Sequence, residues 1–501
     1  SSTGFEELED KISSIPEDLF LGKHAPLERG WTGAARRKVV VGVIDFGIDF
    51  AHEHFIKNDK TRIRAIWNQA GTERNSTDVS YGTVYRSEDI NKALKSDDPY
   101  EALGYGPPED SLFDTGAHGT YVTDIAAGSG CGGRGAGFAP DADIVFVDLA
   151  RVADHNFVGS RYGDSAHLLE AVDFIISESE DKPCIINISL GSNDGPHDGT
   201  TLVELGIDRL IRKKKNCTVV IAAGNTRNQN LYAKGNVRPN GILDLIWYIP
   251  PYDMTSNEIE VWYPAGARLT MQILDPDNAP ISSPVGPDSS VEVSFDSGGT
   301  MLVVHRSCDP VHDRFLQAGK KGSIHIYYER CKGYLKKGRW KLRFRNESSD
   351  GGDVEFDAWI ERDERGQSVF VNRRDLRYKV LECNTLNSIA HGKEPVIAGS
   401  YKTHAEEAKA SSFSSFSTAL NKPDLLAPGE GVLSARSRTA ILRYRQEGTS
   451  ISAAVVTGYI ARMIAEEGGS PDFKDVKAEL DRRSGGAKSK SSGESPLRIL
   501  R

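Results

Sequence analysis

Short apolar, β-branched runs punctuate the first half of the chain. Lys38 to Ile44, within "KVVVGVIDFGIDF", is the first, and "ADIVFVDLA" (142–150), "CIINISL" (184–190) and "CTVVIAAGN" (217–225) follow. Runs of this kind, without polar alternation, mark strands buried on both faces. Between them lie helical patterns. "DSAHLLEAVDFIISESE" (164–180) sets Leu168, Leu169, Val172, Ile175 and Ile176 on one helical face, with Asp164 placed to cap it. "TTLVELGIDRLIRKKK" (200–215) repeats the signal. Strands alternating with helices predict a parallel sheet with helices on both faces.

The pattern changes after Asn225. From 231 to 384 the chain reads as short alternating or aromatic-rich runs such as "EIEVWYP", "RLTMQIL", "GSIHIYY" and "GRWKLRFR", separated by Gly, Pro, Asn and Asp. Many short strands with turn residues between them predict a β-sandwich or jelly roll. The α/β pattern then resumes: "PVIAGSY" (395–401) is a strand, "GTSISAAVVTGYIARMIAEE" (448–467) a long buried helix and "DFKDVKAELDRR" (472–483) an amphipathic one. The expected organisation is an N-terminal extension (1–37), a first α/β part (38–230), an inserted β domain (231–384), a second α/β part (385–485) and a C-terminal tail (486–501).

Composition narrows the function classes. The chain has 501 residues, 38% hydrophobic and 27% charged, which is the balance of a globular protein. A formal net charge of −9 argues against a nucleic-acid binder. The run Arg212 to Lys215 ends a helical pattern, where cations complement the helix dipole. No apolar stretch approaches the roughly 18 residues that span a bilayer. The chain opens on Ser without a leader-like segment, which points to a processing boundary at residue 1 and leaves localisation open. The six Cys match no zinc pattern, and Cys184 and Cys217, each opening a strand-like run, read as buried free thiols near one another.

Four places carry candidate chemistry. Asp45 ends an apolar strand, at the sheet edge where open α/β folds place their sites, and the competing reading is a turn-forming Asp. His118 opens a small-residue helix in "AHGTYVTDIAAG"; the helix dipole favours its neutral, basic form, and a nearby carboxylate would fix its tautomer. Asn225 ends the strand "VVIAAGN", so its amide is a neutral donor at the same edge. Ser450, in "GTSISAA", begins a buried helix and reads locally as a nucleophile or as a cap.

In order along the chain, "VIDFGID", "AHGTYVTDIAAG", "NISLG", "AAGN", "SSFSSFS", "KPDLLAPG" and "GTSISAA" resemble the motifs of the subtilisin-like serine peptidases, whose chain order is Asp, His, Ser. The resemblance covers roughly 38–230 and 385–467. With its β-rich insert after "AAGN", the chain is most similar to the bacterial Csp-type subgroup, some of whose members process spore-germination enzymes. The resemblance implies a serine endopeptidase with Ser450 as nucleophile, His118 as base, Asp45 as the acid that orients it, and Asn225 as oxyanion donor. It also implies that Ser189, Leu190 and Gly191 form the edge against which an extended peptide or protein substrate pairs, Gly191 letting its backbone approach. Calcium often accompanies these enzymes, but no ligands are assigned to it here, and no other metal or cofactor is expected.

The chain departs from the family where Met-Ala-Ala-Pro-His usually follows the serine: here Ile451, Ser452, Ala453, Ala454 and Val455 stand. The missing Pro and His belong to no triad position, and Ala454 is a good helix former. Two other functions fit the same fold: a binding scaffold that has lost catalysis, and a peptide ligase or macrocyclase in which an amine rather than water takes the acyl group. The cluster Asp49, His52, Glu53 and His54 lacks the i, i+4 His pair of metalloproteases and is expected on the surface. "GSGCGGRGAG" (128–137) has no Lys-Ser/Thr after it and reads as a loop rather than a phosphate cradle.

Overall fold

The computed structural model describes residues 37–483 apart from 73–74, 108–116, 131–135, 151–164, 252, 254–255, 297–298, 309–320, 331–335, 349–350, 362–366, 373–376, 403–408, 440–442 and 469–470. All but residue 37 of the expected N-terminal extension, the Asp164 cap, half of the Gly-rich loop and the C-terminal tail fall outside the described residues.

The α/β body begins with β1 (Val40–Asp45), β2 (Ile63–Asn68), β3 (Thr83–Arg86), α1 (His118–Ala127), β4 (Asp143–Asp148), α2 (Ser165–Glu178), β5 (Cys184–Ile188), α3 (Leu202–Lys213) and β6 (Cys217–Ala222). The β insert follows as β7 (Tyr232–Val237), β8 (Ile242–Ile249), β9 (Asn257–Pro264), β10 (Leu269–Leu274), β11 (Ser289–Ser294), β12 (Gly299–Arg306), β13 (Lys321–Arg330), β14 (Gly338–Asn346), β15 (Val354–Ile360), β16 (Val369–Val371) and β17 (Tyr378–Leu381). The chain then returns to the body as β18 (Val396–Tyr401), β19 (Leu425–Pro428), α4 (Thr449–Glu467) and α5 (Phe473–Arg483).

The body is an eight-stranded sheet in the order β19-β18-β6-β5-β1-β4-β2-β3, parallel except for the β2–β3 edge pair. Side chains alternate across each strand. Val41 and Val43 of β1 pack with α1 and α4 on one face; Val40 and Ile44 pack with α2 and α3 on the other. This two-sided burial is why the strands read as unbroken apolar runs. β2 and β3 escaped the sequence reading, since β2 carries Arg64 and Asn68 and β3 has only four residues. The α3 helix is set by a capping box in which Thr201 and Glu204 satisfy each other's backbone donors. Cys184 and Cys217 stand opposite each other in the β5–β6 register as buried free thiols.

The insert folds into two sheets, β10-β14-β8-β16 and β11-β12-β13-β9-β15-β7-β17, around a core of its own that includes Trp247, Trp340, Phe344 and Phe356. On β9, Ile259, Val261 and Tyr263 enter that core, so Glu258, Glu260 and Trp262 face the other way. That outward face meets the body. Tyr232, Trp262 and Trp359 form a separate cluster, Trp359 stacks on Tyr232, and His197 of the body stacks on Trp359 with centroids 4.1 Å apart. Lys321 pairs with Asp198 at 2.6 Å, and Gly195 N–H donates to Glu260 Oε2 at 2.7 Å.

Trp359 is 4% exposed and its Nε1 donates to the carbonyl of Asn384. Trp359→Ala should lower stability by about 3–5 kcal/mol, measured by urea unfolding. A loss below 1 kcal/mol would mean that the stack does not hold the insert. Burial, with His391 beside it, keeps His197 well below its ordinary pKa of 6.5. In the window below about pH 6.5 the unfolded chain therefore binds a proton that the folded chain refuses, and stability falls as pH falls. The urea midpoint should drop between pH 7.5 and 5.5, and by less in His197→Gln; equal drops would exclude His197 as a source.

Candidate active site

β1 delivers Asp45 to the carboxyl edge of the sheet, fully buried. Its Oδ1 accepts from Phe46 N–H at 2.7 Å and lies 2.6 Å from His118 Nδ1. A carboxylate can only accept, so Nδ1 carries the proton and Nε2 presents its lone pair. The imidazole is about a quarter exposed and rests edge-on against Tyr121. The loop after Asp45 is pinned from below. Asp148 Oδ1 accepts from Gly47 N–H at 3.0 Å, and Tyr105 accepts from Ile48 N–H while donating to Asp148 Oδ2 at 2.7 Å. Burial and the adjacent Asp148 push the Tyr105 hydroxyl well up, so it stays a donor.

Ser450 is the second residue of α4, and the cap is Gly448, which makes no side-chain cap bond. The reading of Ser450 as a cap is corrected by this placement. Its Oγ donates to the carbonyl of Ser189 at 3.3 Å, while Ser189 Oγ donates to the carbonyl of Ser450 at 3.2 Å. In this conformation the Ser450 hydroxyl makes no hydrogen bond to His118. Asn187 fixes Ser189 by donating to its Oγ at 2.7 Å, and Thr457 of α4 donates to Asn187 Oδ1.

Asn225 follows β6 and faces the start of α4. Its Oδ1 accepts from Thr449 N–H at 2.8 Å and from Thr449 Oγ at 2.9 Å. The amide is thereby held in one orientation, with Nδ2 as its outward donor. Gly224 N–H donates to the same hydroxyl at 3.0 Å. Gly448 adopts φ +144°, and a Cβ there would come within 3.3 Å of Asn225 Nδ2. With Thr449 N–H occupied, the N–H of Ser450 is among the unpaired donors at the helix start.

Ser189, Leu190 and Gly191 continue from β5 beside Ser450. The nearest reason for glycine at 191 lies inside the protein: at φ +149°, a Cβ would fall 2.5 Å from Asn387. Asn387 is buried and its Nδ2 donates to the carbonyls of Leu190 at 3.4 Å and Ala222 at 2.6 Å, tying the ends of β5 and β6 together. Thr449, Asn387, Asn187, Tyr105 and Asp148 had no role in the sequence reading. Thr449 lay within the quoted "GTS" step, where its hydroxyl was the available signal.

Asp49, His52 and His54, expected on the surface, are 1%, 3% and 2% exposed. His54 Nδ1 lies 2.6 Å from Asp124 Oδ1, whose other oxygen accepts from Ala435 N–H at 2.7 Å. His54 is buried because α1 supplies Asp124 to receive it, and His52 packs edge-on against His54, its Nδ1 accepting from His54 N–H at 3.2 Å. Asp124 accordingly ties α1 to its neighbours and leaves Asp45 to His118.

A family profile described as the subtilase family matches residues 36–480. Among solved structures, the CspB protease of Clostridium perfringens is 25% identical, with 93% of this chain and 92% of that chain covered and a TM-score of 0.72. A cold-adapted subtilisin-like serine proteinase is 14% identical, with 96% and 97% covered and a TM-score of 0.43. The chain belongs to the subtilase family and is a subtilisin-like serine peptidase.

Proposed function

We propose that Asp45, His118 and Ser450 are the catalytic triad of an endopeptidase that cleaves peptide bonds of a protein substrate through an acyl-enzyme. The observation that carries this reading is the 2.6 Å contact of Asp45 with His118 Nδ1, which leaves Nε2 as a base at the sheet edge that also carries Ser450. The reading requires the Ser450 side chain to turn about χ1, away from the Ser189 carbonyl and toward the imidazole; catalytic hydrogen bonds commonly tighten only when substrate is bound. Ser450 Oγ then attacks the carbonyl carbon, and His118 Nε2 takes its proton. Asp45 keeps the imidazolium oriented and offsets its charge. The developing oxyanion is received by Asn225 Nδ2 and the Ser450 N–H. His118 returns the proton to the leaving amine, and water then releases the acyl group by the same path.

Ser189, Leu190 and Gly191 are assigned as the edge that pairs with the extended substrate, with Asn387 supporting them from behind. Residues 231–384 are assigned as an inserted domain that braces the loop following this edge. The similarity to the CspB protease over 93% of this chain supports a shared fold that takes in the insert.

A fluorophosphonate probe should label the wild-type protein and not Ser450→Ala. Absence of labelling in folded wild type would favour a binding scaffold instead. Mass spectra of products should show free carboxyl termini; joined or cyclic products would redirect the reading to ligation. Asn225→Ala should lower kcat by about 10²–10³, a magnitude that comes from subtilisin itself. Thr449→Val removes one of two bonds holding the Asn225 amide and should lower kcat by about tenfold with little change in KM. An unchanged kcat in Thr449→Val would show that the backbone N–H alone orients the amide.

A further inference from the structure

The face of the insert turned toward the body carries a group of side chains that the peptidase reading does not use. Glu260 of β9 and His325 of β13 stand directly opposite each other in the antiparallel register. Glu258 lies two residues away on the same face. One carboxylate oxygen from each Glu and one ring nitrogen of His325 lie within 4.8 Å of one another. Glu260 and His325 are 7% and 8% exposed, and Glu258 is half-buried.

The orientation of these groups points to a shared ligand. Glu260 Oε2 is occupied, accepting from Gly195 N–H at 2.7 Å and Trp262 Nε1 at 2.9 Å. This fixes the carboxylate and turns Oε1 toward the imidazole. His325 Nε2 pairs with Ser323 Oγ at 3.1 Å, which holds the ring from behind. Its Nδ1 is buried and 3.1 Å from Glu260 Oε1, yet has no hydrogen-bond partner. An imidazole nitrogen and a carboxylate oxygen that are close but not aligned with each other have the disposition of neighbouring ligands on one small cation. With metal–ligand bonds of about 2.0–2.2 Å, tetrahedral neighbours stand roughly 3.4 Å apart. A metal-binding His also characteristically has its second ring nitrogen fixed by a polar partner, the part Ser323 plays here.

Burial, then a hydrogen bond to Glu361 and the nearby Glu361, Glu260 and Asp194, raise the pKa of the Glu258 carboxyl. One imidazole with two carboxylates suits zinc-like ions, whereas calcium takes six to eight oxygen ligands.

We propose that Glu258, Glu260 and His325 bind one divalent transition-metal ion of the zinc class. Three protein ligands leave a fourth position for water. The ion ties β9 to β13. Through Glu260 and Gly195 it also ties the insert to the loop that leaves Ser189, Leu190 and Gly191. Its role is structural, since its ligands lie on the insert and not among Asp45, His118 and Ser450.

The test uses the full chain, stripped with chelator and titrated separately with Zn2+, Co2+ and Ca2+. After gel filtration, elemental analysis should find one Zn2+ per chain, and Zn2+ should raise the unfolding temperature. Co2+ should give the visible absorption of a four- or five-coordinate site. Glu258→Gln should weaken binding at least tenfold, and His325→Asn should abolish it, with circular dichroism checking that each variant is folded. Wild type that retains no Zn2+ overturns the proposal even if neither variant folds. So does Zn2+ binding that both folded variants leave unchanged, or stabilisation by Ca2+ alone.

Discussion

The double hydrogen bond from Thr449 to Asn225 Oδ1 is the constraint on which the rest of the site depends. It joins residues 224 positions apart, from the two stretches of α/β body that the insert separates. Because both bonds land on the same oxygen, the amide nitrogen must face outward. Because the Thr449 N–H is used, Ser450 is the next residue whose backbone donor is open at the helix start. Gly448 follows from the same geometry, since its φ of +144° lets the chain enter the helix beside the Asn225 amide. One interaction therefore places the hydroxyl of Ser450 and two donors relative to one another. Asp45 and His118 are positioned separately, by β1 and the start of α1, and are joined by their own 2.6 Å contact.

The parts of this arrangement legible in the sequence are those whose cause is local. β1, β4, β5 and β6 are apolar throughout because helices cover both faces, and burial of that kind shows directly in residue type. The Thr201 and Glu204 capping box and the alternation of β9 are likewise visible within a few residues. Asp45, His118, Asn225 and Ser450 were found because each sits in a short motif at a strand end or helix start. The contact between Asp45 and His118 was not legible, since 73 residues separate the two.

What escaped the sequence has partners far along the chain. Asn387 works through Leu190 and Ala222, at separations of 197 and 165 residues. Asn187 works through Thr457, 270 residues away. The string "DFAHEHF" looked like a surface because four of its seven residues are polar. His54 is buried because Asp124 waits 70 residues on. A buried polar residue is tolerated only where its partner is supplied, and no local pattern reports a partner on another element. The glycine at 191 shows the same limit: its missing side chain looked like room for a substrate, and the nearest demand comes from Asn387.

The insert is mechanically continuous with the stretch Ser189 to Gly191 beside Ser450. The segment that begins at Ser189 runs through Gly191 into Ser192, whose Oγ lies 3.1 Å from that of Ser388. It then reaches Gly195, held by Glu260, and His197, stacked on Trp359. Few residues intervene between a backbone that bonds Ser450 and side chains that belong to the insert. A displacement of the insert must therefore be absorbed within that short stretch or passed to Ser189. Asn387 limits the second route by bonding the carbonyls on both sides of the gap between β5 and β6. The all-β insert occupies the outer half of this connection and Asn387 the inner half. The edge beside Ser450 is thus braced from two independent elements, which a strand end with free flanks would not be.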